Sequence, residues 1–406
     1  MIEKSNSRVQ TVDRWKSLST GYLAHVTHDG FTDMLYVFFP IWQSQFILSF
    51  IEVGFLKTLF SGAMAVFQVP AGFLANRFGE IRLLMLGTLL TSVSVLLFGW
   101  ATTPIALGCL LFIGGLGSSV QHPLSSSLIS STCRDVHARR TALSTYNVSG
   151  DIGKLIFPAT AAFLITRFDW PSASRLLALF GLVVTMILFL VARSIQVKVS
   201  HSQEKTARSK LGVLSWKGHS AFWSLSAIGV IDSATRTGFL TFLPFLLKGK
   251  GADVVTIGIA LSLIFAGGAT GKFVCGVLAI KIGVLRSVIA TEIITALCIW
   301  GMLTLTLNSA LLLAPMLGIA LNGTSSVLYG SVPELVSDER RKVAFAIFYT
   351  VTLGSGAIAP SIYGLMSDMI GIRTTIVIVA CIVLITIPLT LPLRGKLAHE
   401  SVNTET

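Results

Sequence analysis

Four ionisable side chains share one short apolar stretch near the start of the chain, LAHVTHDGFTDMLYVFFP at residues 23–40. They are His25, His28, Asp29 and Asp33. At 100° per residue, an α-helix places all four, together with Thr32 and Tyr36, within an arc of roughly 140°. Imidazoles and carboxylates on one stripe can bind and release protons, and they can also ligate a divalent metal ion.

An isolated charge at the centre of a bilayer costs at least about 2.5–3.5 kcal/mol, so these side chains must face water or pair with one another. The remaining face of the predicted helix is largely apolar. The pattern therefore predicts a helix with one polar stripe and one face that suits lipid. A water-filled pathway along the stripe is the interpretation that we favour, and a structural pairing face is the alternative.

Six further ionisable residues fall inside apolar stretches of the chain. They are His122, Asp151, Lys154, Asp232, Arg236 and Lys272. Asp232 and Arg236 are four residues apart, so they can form a structural ion pair along one helix face. Alternatively, Arg236 offers a bidentate site for a carboxylate, phosphate or phosphonate group.

Lys154 follows Asp151 by three residues, so the two side chains can pair on one helix. Alternatively, Lys154 neutralises the acids of the first span. Lys272 lies nearer a span end, where its ammonium group can reach the interface or bind an anion. Glu292 and Glu334 are also placed towards span ends and are expected to make interfacial contacts.

His122 and Pro123 follow a run of small residues, GGLGSS at 114–119. Small residues let helices pack closely, and a proline inside a helix frees a backbone carbonyl and permits a kink. A histidine at such a hinge can serve as a proton-sensitive gate. A role in packing alone is the alternative.

The composition of the 406 residues is that of a membrane protein. Hydrophobic residues make up 53% and charged residues 12%, and the mean hydropathy is +0.77. Soluble domains carry roughly a quarter charged residues. The formal charge of +12 comes from basic residues spread between apolar spans, so nucleic-acid binding is not expected. The five cysteines show no CxxC spacing, and we expect neither a disulfide framework nor a cofactor.

Twelve apolar stretches are each long enough to span a membrane as a helix of about 20 residues. They lie near residues 19–45, 53–75, 83–101, 104–130, 140–166, 173–193, 219–247, 254–280, 286–307, 310–333, 341–366 and 373–393. This pattern predicts an all-α integral membrane protein with 12 transmembrane helices. Its expected parts are a cytoplasmic tail (1–18), a six-helix half (19–193), a cytoplasmic linker (194–218), a second six-helix half (219–393) and a cytoplasmic tail (394–406).

The distribution of lysine and arginine predicts the orientation of the chain. With the N-terminus inside, 22 basic residues fall in inner segments and six in outer segments, among them Lys57. Cytoplasmic segments of membrane proteins are enriched in these two residues. Both termini are therefore predicted to be cytoplasmic, in a multi-pass protein of the plasma (inner) membrane.

The two halves of the sequence repeat each other at an offset near 204 residues. QVPAGFLANRFG at 68–79 aligns with KFVCGVLAIKIG at 272–283, which pairs Gly79 with Gly283. Two six-helix halves in parallel repeat are one architecture of secondary transporters, with the substrate site at the repeat interface near the membrane midplane.

The loop after the second predicted span resembles the signature loop of the major facilitator superfamily. The matching residues are Gly72, Asn76, Arg77, Gly79 and Arg82. In that family the loop pairs an aspartate and an arginine with a helix end and latches the cytoplasmic side. Here Asn76 stands at the usual aspartate and Glu80 at a usual basic position, so the resemblance implies a weaker or differently built latch.

Other motifs are similar to those of the fosmidomycin-resistance family of drug exporters. LAHVTHD and IWQSQFILSFIEVG, within residues 23–54, resemble the first-span region of that family. GLGSSVQHPLSSS (115–127) resembles its fourth-span Gly-Ser-Ser-Val-x-His-Pro motif, although Leu124 stands where that family often has glutamate. PEL at 333–335 and LMSD at 365–368 fit its second half.

The residues and the resemblance together predict a secondary transporter that exports a small organic or drug-like compound, anionic compounds included, by proton antiport and alternating access. The proton-coupling residues are predicted to be Asp29, Asp33, His25, His28 and His122. The central cavity is expected to be lined by Tyr36, Asn147, Asp151, Lys154, Asp232, Arg236, Lys272, Asn322, Tyr329 and Tyr349. The expected partners are a small-molecule substrate, protons and the lipid bilayer, and a monomer without enzymatic activity is expected.

Two other transport functions fit the same residues. An importer of a small anionic nutrient would use the same cations and proton-binding acids. A transition-metal transporter would use the stripe of the first helix, because imidazole and carboxylate at helical spacing suit a divalent metal ion. The positive charges of Lys154 and Arg236 oppose this second alternative.

Overall fold

The computed structural model describes residues 2–133, 135–194, 220–337 and 340–397, which form helices joined by short loops. The helices are α1 (Ile2–Phe46), α2 (Phe50–Phe78), α3 (Glu80–Phe98), α4 (Pro104–Ser118), α5 (Gln121–Thr132), α6 (Val136–Arg167), α7 (Trp170–Ser194), α8 (Ser220–Gly249), α9 (Val254–Ile282), α10 (Val284–Thr304), α11 (Leu307–Ser331), α12 (Arg341–Ile370), α13 (Ile372–Leu384) and α14 (Thr386–Leu389). Short 3-10 helices lie at Val332–Leu335 and Leu391–Leu393.

Ten helical stretches in the described part of the chain are long and apolar enough to cross a membrane. α1 and α8 are also long enough, but their ionisable residues lower their hydropathy. These two helices carry the predicted polar stripe and the Asp232–Arg236 pair. The count of twelve membrane spans and the side on which the termini lie therefore stay predictions.

Three segments differ from their predicted form. α1 begins at Ile2, so the expected polar tail continues the first helix. The fourth predicted span is broken between α4 and α5, one turn before Pro123, because proline has no N–H to bond the carbonyl four residues earlier. The last predicted span is divided into α13, α14 and a 3-10 turn. Residues 195–218 of the predicted linker and 398–406 of the predicted tail lie outside the described residues.

Contacts divide the chain into two compact units. The first comprises Met1–Leu48, Leu56–Ser200 and Asp253–Ser262, and the second comprises Ser49–Phe55, His201–Ala252 and Leu263–Thr406. In the first unit α1 packs on α6 and α3 packs on α7, and in the second α8 packs on α12 and α10 packs on α13. The helix pairing of one unit is thus repeated in the other, as the internal sequence repeat predicts.

The backbone repeats at one turn as well. Gly79 precedes α3 with a φ of 86°, and Gly283 precedes α10 with a φ of 88°. Side chains with a Cβ are strained in this region of φ, so both tight turns require glycine. The glycine pair found in the sequence alignment therefore has the same structural role in both units.

Candidate functional site

The ionisable stripe of the first unit is packed where α1 meets α6. His25, His28, Asp29 and Asp33 are each no more than 7% exposed. Their side chains contact protein groups of α1, α5 and α6, so the expected water-filled pathway along the stripe is wrong for this conformation. Buried charges require partners, and the contacts of the stripe show which partners it has.

Asp29 is the centre of the ionic contacts in this cluster. Its Oδ2 lies 3.3 Å from His25 Nε2 and 3.4 Å from Lys154 Nζ, and its Oδ1 lies 3.7 Å from His28 Nε2. Lys154 Nζ also lies 4.0 Å from Asp33 Oδ2. Lys154 of α6 therefore neutralises the acids of α1, which was one of the two alternatives left open by the sequence.

The backbone of α6 fixes the tautomer of His25. Nδ1 of His25 lies 2.7 Å from the carbonyl oxygen of Tyr146, and a carbonyl oxygen can only accept a hydrogen bond. Nδ1 therefore carries a hydrogen, and Nε2 of the neutral ring is a lone-pair atom. This lone pair faces the Oδ2 of Asp29, so a proton between the two atoms would turn a repulsive contact into a charge-assisted hydrogen bond.

His122 of α5 joins the cluster from a third helix. Its ring centroid lies 5.2 Å from that of His25 and 4.9 Å from that of His28, and its Nδ1 lies 3.4 Å from the Tyr146 hydroxyl. The break between α4 and α5 places this histidine in the first turn of α5.

The same cluster contains a possible metal-ligand set. One ligand atom from each of His25, Asp29 and His122 lies within 4.8 Å of the others. The donors are imidazole nitrogen and carboxylate oxygen, which suit a divalent transition metal. Lys154 opposes such an ion, because its ammonium group is already 3.4 Å from the Asp29 oxygen.

Two glycines of α6 let α1 approach closely enough to form these contacts. A methyl group on Gly150 would overlap Asp29 Oδ2 and lie 2.5 Å from His25 Cε1. A methyl group on Gly153 would overlap the backbone oxygen of Val26. Glycine at these positions therefore places α6 directly against the ionisable stripe of α1.

Lys57 is a site residue that the sequence analysis placed wrongly. It was counted in an outer segment, but it lies in α2 and is 1% exposed. Its Nζ donates to the carbonyl oxygen of Thr32 at 3.4 Å and lies 4.6 Å from the ring centroid of Tyr36. The apolar residues on both sides of Lys57 were the signal that could have revealed a buried cation.

The second unit contains a cavity of about 110 Å³ between α8, α11 and α12. Its lining residues are Gly229, Asp232, Ser233, Arg236, Ser325, Leu328, Tyr329, Phe348, Tyr349, Thr352 and Leu353. Within the described residues, Arg236 Nε and the Tyr329 hydroxyl are buried and have no hydrogen-bond partner. Two donors aimed at one cavity suit a ligand with acceptor oxygens.

The remaining predicted cavity residues are more scattered. Asp151 is buried on α6, whereas Asn147 is exposed on the same helix. Lys272 is half-buried on α9. Asn322 Nδ2 donates to the Gly318 carbonyl of its own helix at 3.3 Å, and Asn322 is not among the residues that line the cavity.

The two glutamates that were expected at span ends differ from each other. Glu334 is exposed, as an interfacial role requires, but Glu292 is 2% exposed. The expectation for Glu292 was therefore wrong. Its position on the inner face of α10 could not be read from its distance to the end of the span.

The signature loop lies at the junction of α2 and α3. Asn76, Arg77 and Arg82 are exposed, and the backbone turns at Gly79. Glu80 accepts a hydrogen bond from Ser127 of α5. An acid at this usually basic position therefore connects α3 to α5, within one unit.

The family model of the Major Facilitator Superfamily matches residues 21–248 and 225–406. The chain belongs to the Major Facilitator Superfamily. It is a multi-pass membrane protein of the plasma membrane type, as the apolar helices and the family indicate.

Curated relatives of this major facilitator protein include a drug-resistance protein and a probable transporter. The fosmidomycin resistance protein of Escherichia coli is 27% identical over 146 residues, which is 36% of each chain. The probable sulfoacetate transporter SauU of Cupriavidus necator is 20% identical over 356 residues, which is 82% of each chain. The chain aligns with less than half the length of the first curated relatives.

The fold also matches solved transporter structures. A bacterial homolog of the human lysosomal transporter Spinster, in an inward-facing and occupied conformation, gives a TM-score of 0.77 at 17% identity. The match covers 94% of this chain and 97% of the other. At this identity the likeness concerns the fold alone.

Proposed function

We propose that the chain is a proton-coupled secondary transporter that exports a small organic anion. The observation that carries the proposal is the shared Oδ2 of Asp29, which lies 3.3 Å from His25 Nε2 and 3.4 Å from Lys154 Nζ. A carboxylate oxygen that contacts both a histidine and a lysine can exchange a proton-bound state for an ion-paired state. Such an exchange is the chemistry that proton coupling requires.

Proton binding is coupled to the position of Lys154, because the proton and the ammonium group compete for the same oxygen of Asp29. While Lys154 stays next to Asp29, the positive charge favours the ionised carboxylate and release of the proton. If Lys154 moves away, the buried carboxylate regains a proton, and His25 can share it because its other nitrogen is held by the Tyr146 carbonyl. His28 and His122 lie beside this pair as further proton acceptors.

The substrate class is suggested by the cavity of the second unit. Arg236 supplies a positive charge, and Arg236 Nε and the Tyr329 hydroxyl supply donors that the described protein does not satisfy. A carboxylate, phosphate or sulfonate group would satisfy both. The sulfoacetate transporter among the relatives supports an organic anion, and the fosmidomycin resistance protein supports export.

A screen followed by a coupling measurement tests the proposal. Cells that express the chain, or its Asp29→Asn variant, are challenged with antibiotics, phosphonates, organic acids and metal salts. A compound whose toxicity is relieved only by the unmodified chain is then added to proteoliposomes that contain a pH-sensitive dye. The proposal requires proton movement on addition of the compound, and full proton movement in Asp29→Asn would refute it.

The direction of transport is tested with the same vesicles. An imposed proton gradient should drive the compound against the flow of protons. Movement of the compound together with protons would instead establish an importer of a small anion, which uses the same residues.

A transition-metal transporter is a second candidate, because the ligand atoms of His25, Asp29 and His122 lie within 4.8 Å. In this case the metal ion is the substrate. Uptake of zinc, manganese or cobalt into vesicles, lost in His25→Ala and in His122→Ala, would establish it. No metal uptake, together with coupled movement of an organic anion, would leave the first proposal.

A further inference from the structure

Glu292 is a buried acid that the proposed transport cycle does not use. It lies in the middle of α10, is 2% exposed, and its Oε1 is buried without a hydrogen-bond partner among the described residues. An ionised carboxylate in such a place is strongly destabilising unless a cation or several donors compensate its charge. The surroundings of Glu292 therefore determine which protonation state the protein can hold.

Within the part of the chain that the structure describes, neither of the two helices that pack most closely on α10 brings a cation to Glu292. α10 packs mainly on α11 and α13. α11 contains no Asp, Glu, Lys or Arg, and the one such residue in α13 is Arg373. Arg373 donates to the Leu303 carbonyl at 3.3 Å, eleven residues beyond Glu292, which is about 16 Å along a helix.

Among the described residues, a charged group near Glu292 has the same sign as an ionised glutamate. It is Asp232 of α8, whose own neighbouring charge is Arg236, one turn further along the same helix. Two carboxylates and one guanidinium would leave an uncompensated negative charge in the core of the unit. A neutral Glu292 removes this imbalance.

The first unit shows that the fold does not need an acid here. The repeat offset of 204 residues aligns Glu292 with Thr88 of α3, which is 3% exposed. The hydroxyl of Thr88 accepts a hydrogen bond from Gln121 Nε2 at 3.0 Å. A neutral, hydrogen-bonded residue thus fills the equivalent position, so packing alone does not account for Glu292.

We propose that Glu292 is a second proton-binding site, which holds its carboxyl group in the protonated form. The reaction is the addition of one proton to the carboxylate, –COO⁻ + H⁺ → –COOH. Thr295, three residues further on the same face of α10, has a buried hydroxyl oxygen without a partner among the described residues, which can accept a hydrogen bond from the carboxyl O–H. A proton needs one such oxygen, whereas Ca²⁺ and Mg²⁺ take six or more.

Infrared spectroscopy of the purified full-length chain tests this assignment directly. At neutral pH, the carbonyl stretch of a protonated carboxyl group should be present and should shift in heavy water. It should be absent in Glu292→Gln and retained in Glu334→Gln, in which an exposed glutamate is changed in the same way. Glu292→Thr copies the residue of the first unit and should fold with an unchanged melting temperature, which shows that loss of the band is not loss of the fold.

Three results would overturn the assignment. The first is that the spectra of the wild-type chain and of Glu292→Gln show the same protonated-carboxyl region. The second is a band that disappears in Asp232→Asn but persists in Glu292→Gln, since the proton would then belong to Asp232. The third is a band that appears only after sodium is replaced by choline, which would make the site a cation site.

The test is independent of the proposed transport function. The band should persist in Asp29→Asn, because Asp29 lies in the other unit. Loss of proton-coupled transport in Asp29→Asn with an intact Glu292 band would support both proposals. A missing band with intact coupling would refute only the proton site at Glu292.

Discussion

Asp29 and Asp33 have the same side chain but different surroundings. Asp29 contacts two histidines and Lys154, and its oxygen lies 3.4 Å from the ammonium group. Asp33 lies 4.0 Å from the same ammonium group. The geometry therefore ranks the two acids, which their spacing in the sequence could not do, and it makes Asp29 the stronger candidate for the proton carrier.

We expect Asp29→Asn to abolish substrate-driven proton movement and Asp33→Asn to weaken it only in part. Asp33 has one ionic contact at 4.0 Å, whereas Asp29 has three that are shorter, so the loss of Asp33 should disturb the charge balance of the cluster less. The measurement is the initial rate of proton movement in proteoliposomes with equal amounts of folded protein. Equal losses in the two variants, or a larger loss in Asp33→Asn, would contradict the ranking.

Arg236 is the second residue whose chemistry can be tested alone. Arg236→Lys keeps the positive charge but removes the planar guanidinium and its Nε donor. We expect the affinity for an anionic substrate to fall roughly tenfold, or by about 1.4 kcal/mol, with the fold retained. The measurement is a binding titration with the compound found in the screen.

Tyr329→Phe gives the matched comparison for the cavity. It removes one hydroxyl donor, keeps the ring and should lower the affinity less than Arg236→Lys, because it removes a single donor whereas Arg236→Lys removes the planar fork of guanidinium donors. Unchanged binding in both variants would show that the cavity of the second unit does not hold the anion.

At the scale of elements, the site depends on how closely α6 approaches α1. Two glycines one turn apart, Gly150 and Gly153, lie against α1. An alanine at either position would add a methyl group, and the two methyl groups would meet different kinds of atom. The methyl group at 150 meets side chains, which can move. The methyl group at 153 meets backbone of α1, which cannot move without separating the helices.

These two positions should therefore respond differently to alanine. Gly150→Ala should fold normally and lose proton coupling, because it displaces Asp29 and His25. Gly153→Ala should lower the stability by about 1–3 kcal/mol through overpacking. Gly62→Ala is the control, since a methyl group there meets nothing within 4 Å. Melting temperature and proton movement separate the effects, and identical behaviour of all three variants would contradict this account of the interface.

At the scale of the whole molecule, much of the fold is predictable from hydropathy and repetition. Each predicted span overlaps a described helix, the superfamily resemblance is confirmed, and the glycine turns before α3 and α10 confirm the repeat offset. Helix length is less predictable, because apolar windows mark where a membrane could lie and not where hydrogen bonding ends. For this reason α1 extends to Ile2 although its first residues are polar.

Only the part of the site that lies on a single helix was predictable from the sequence. Spacing placed the four ionisable residues of α1 on one face, and the structure confirms that they lie together. Spacing could not say that Lys154 reaches across to Asp29, that Lys57 is buried against Tyr36, or that Glu292 faces inwards. These facts depend on which helices become neighbours, and a single sequence without pairing information does not contain them.

The orientation of the chain in the membrane follows from charge and is open to a direct test. Asn76 and Thr102 are exposed and lie beyond opposite ends of α3, whose 19 residues span about 28 Å. The excess of basic residues in the segments assigned to the inside predicts that Asn76 is cytoplasmic and Thr102 external. Moving Lys57 from the outer segments into the protein core strengthens this bias, because it removes a cation from the side that should have few.

Single cysteines at these two positions, in a chain whose five native cysteines are replaced, can be labelled with a membrane-impermeant maleimide. In intact cells, Thr102→Cys should react and Asn76→Cys should react only after the membrane is permeabilised. The cysteine-free chain measures the background. Reaction of Asn76→Cys in intact cells, with protection of Thr102→Cys, would reverse the orientation.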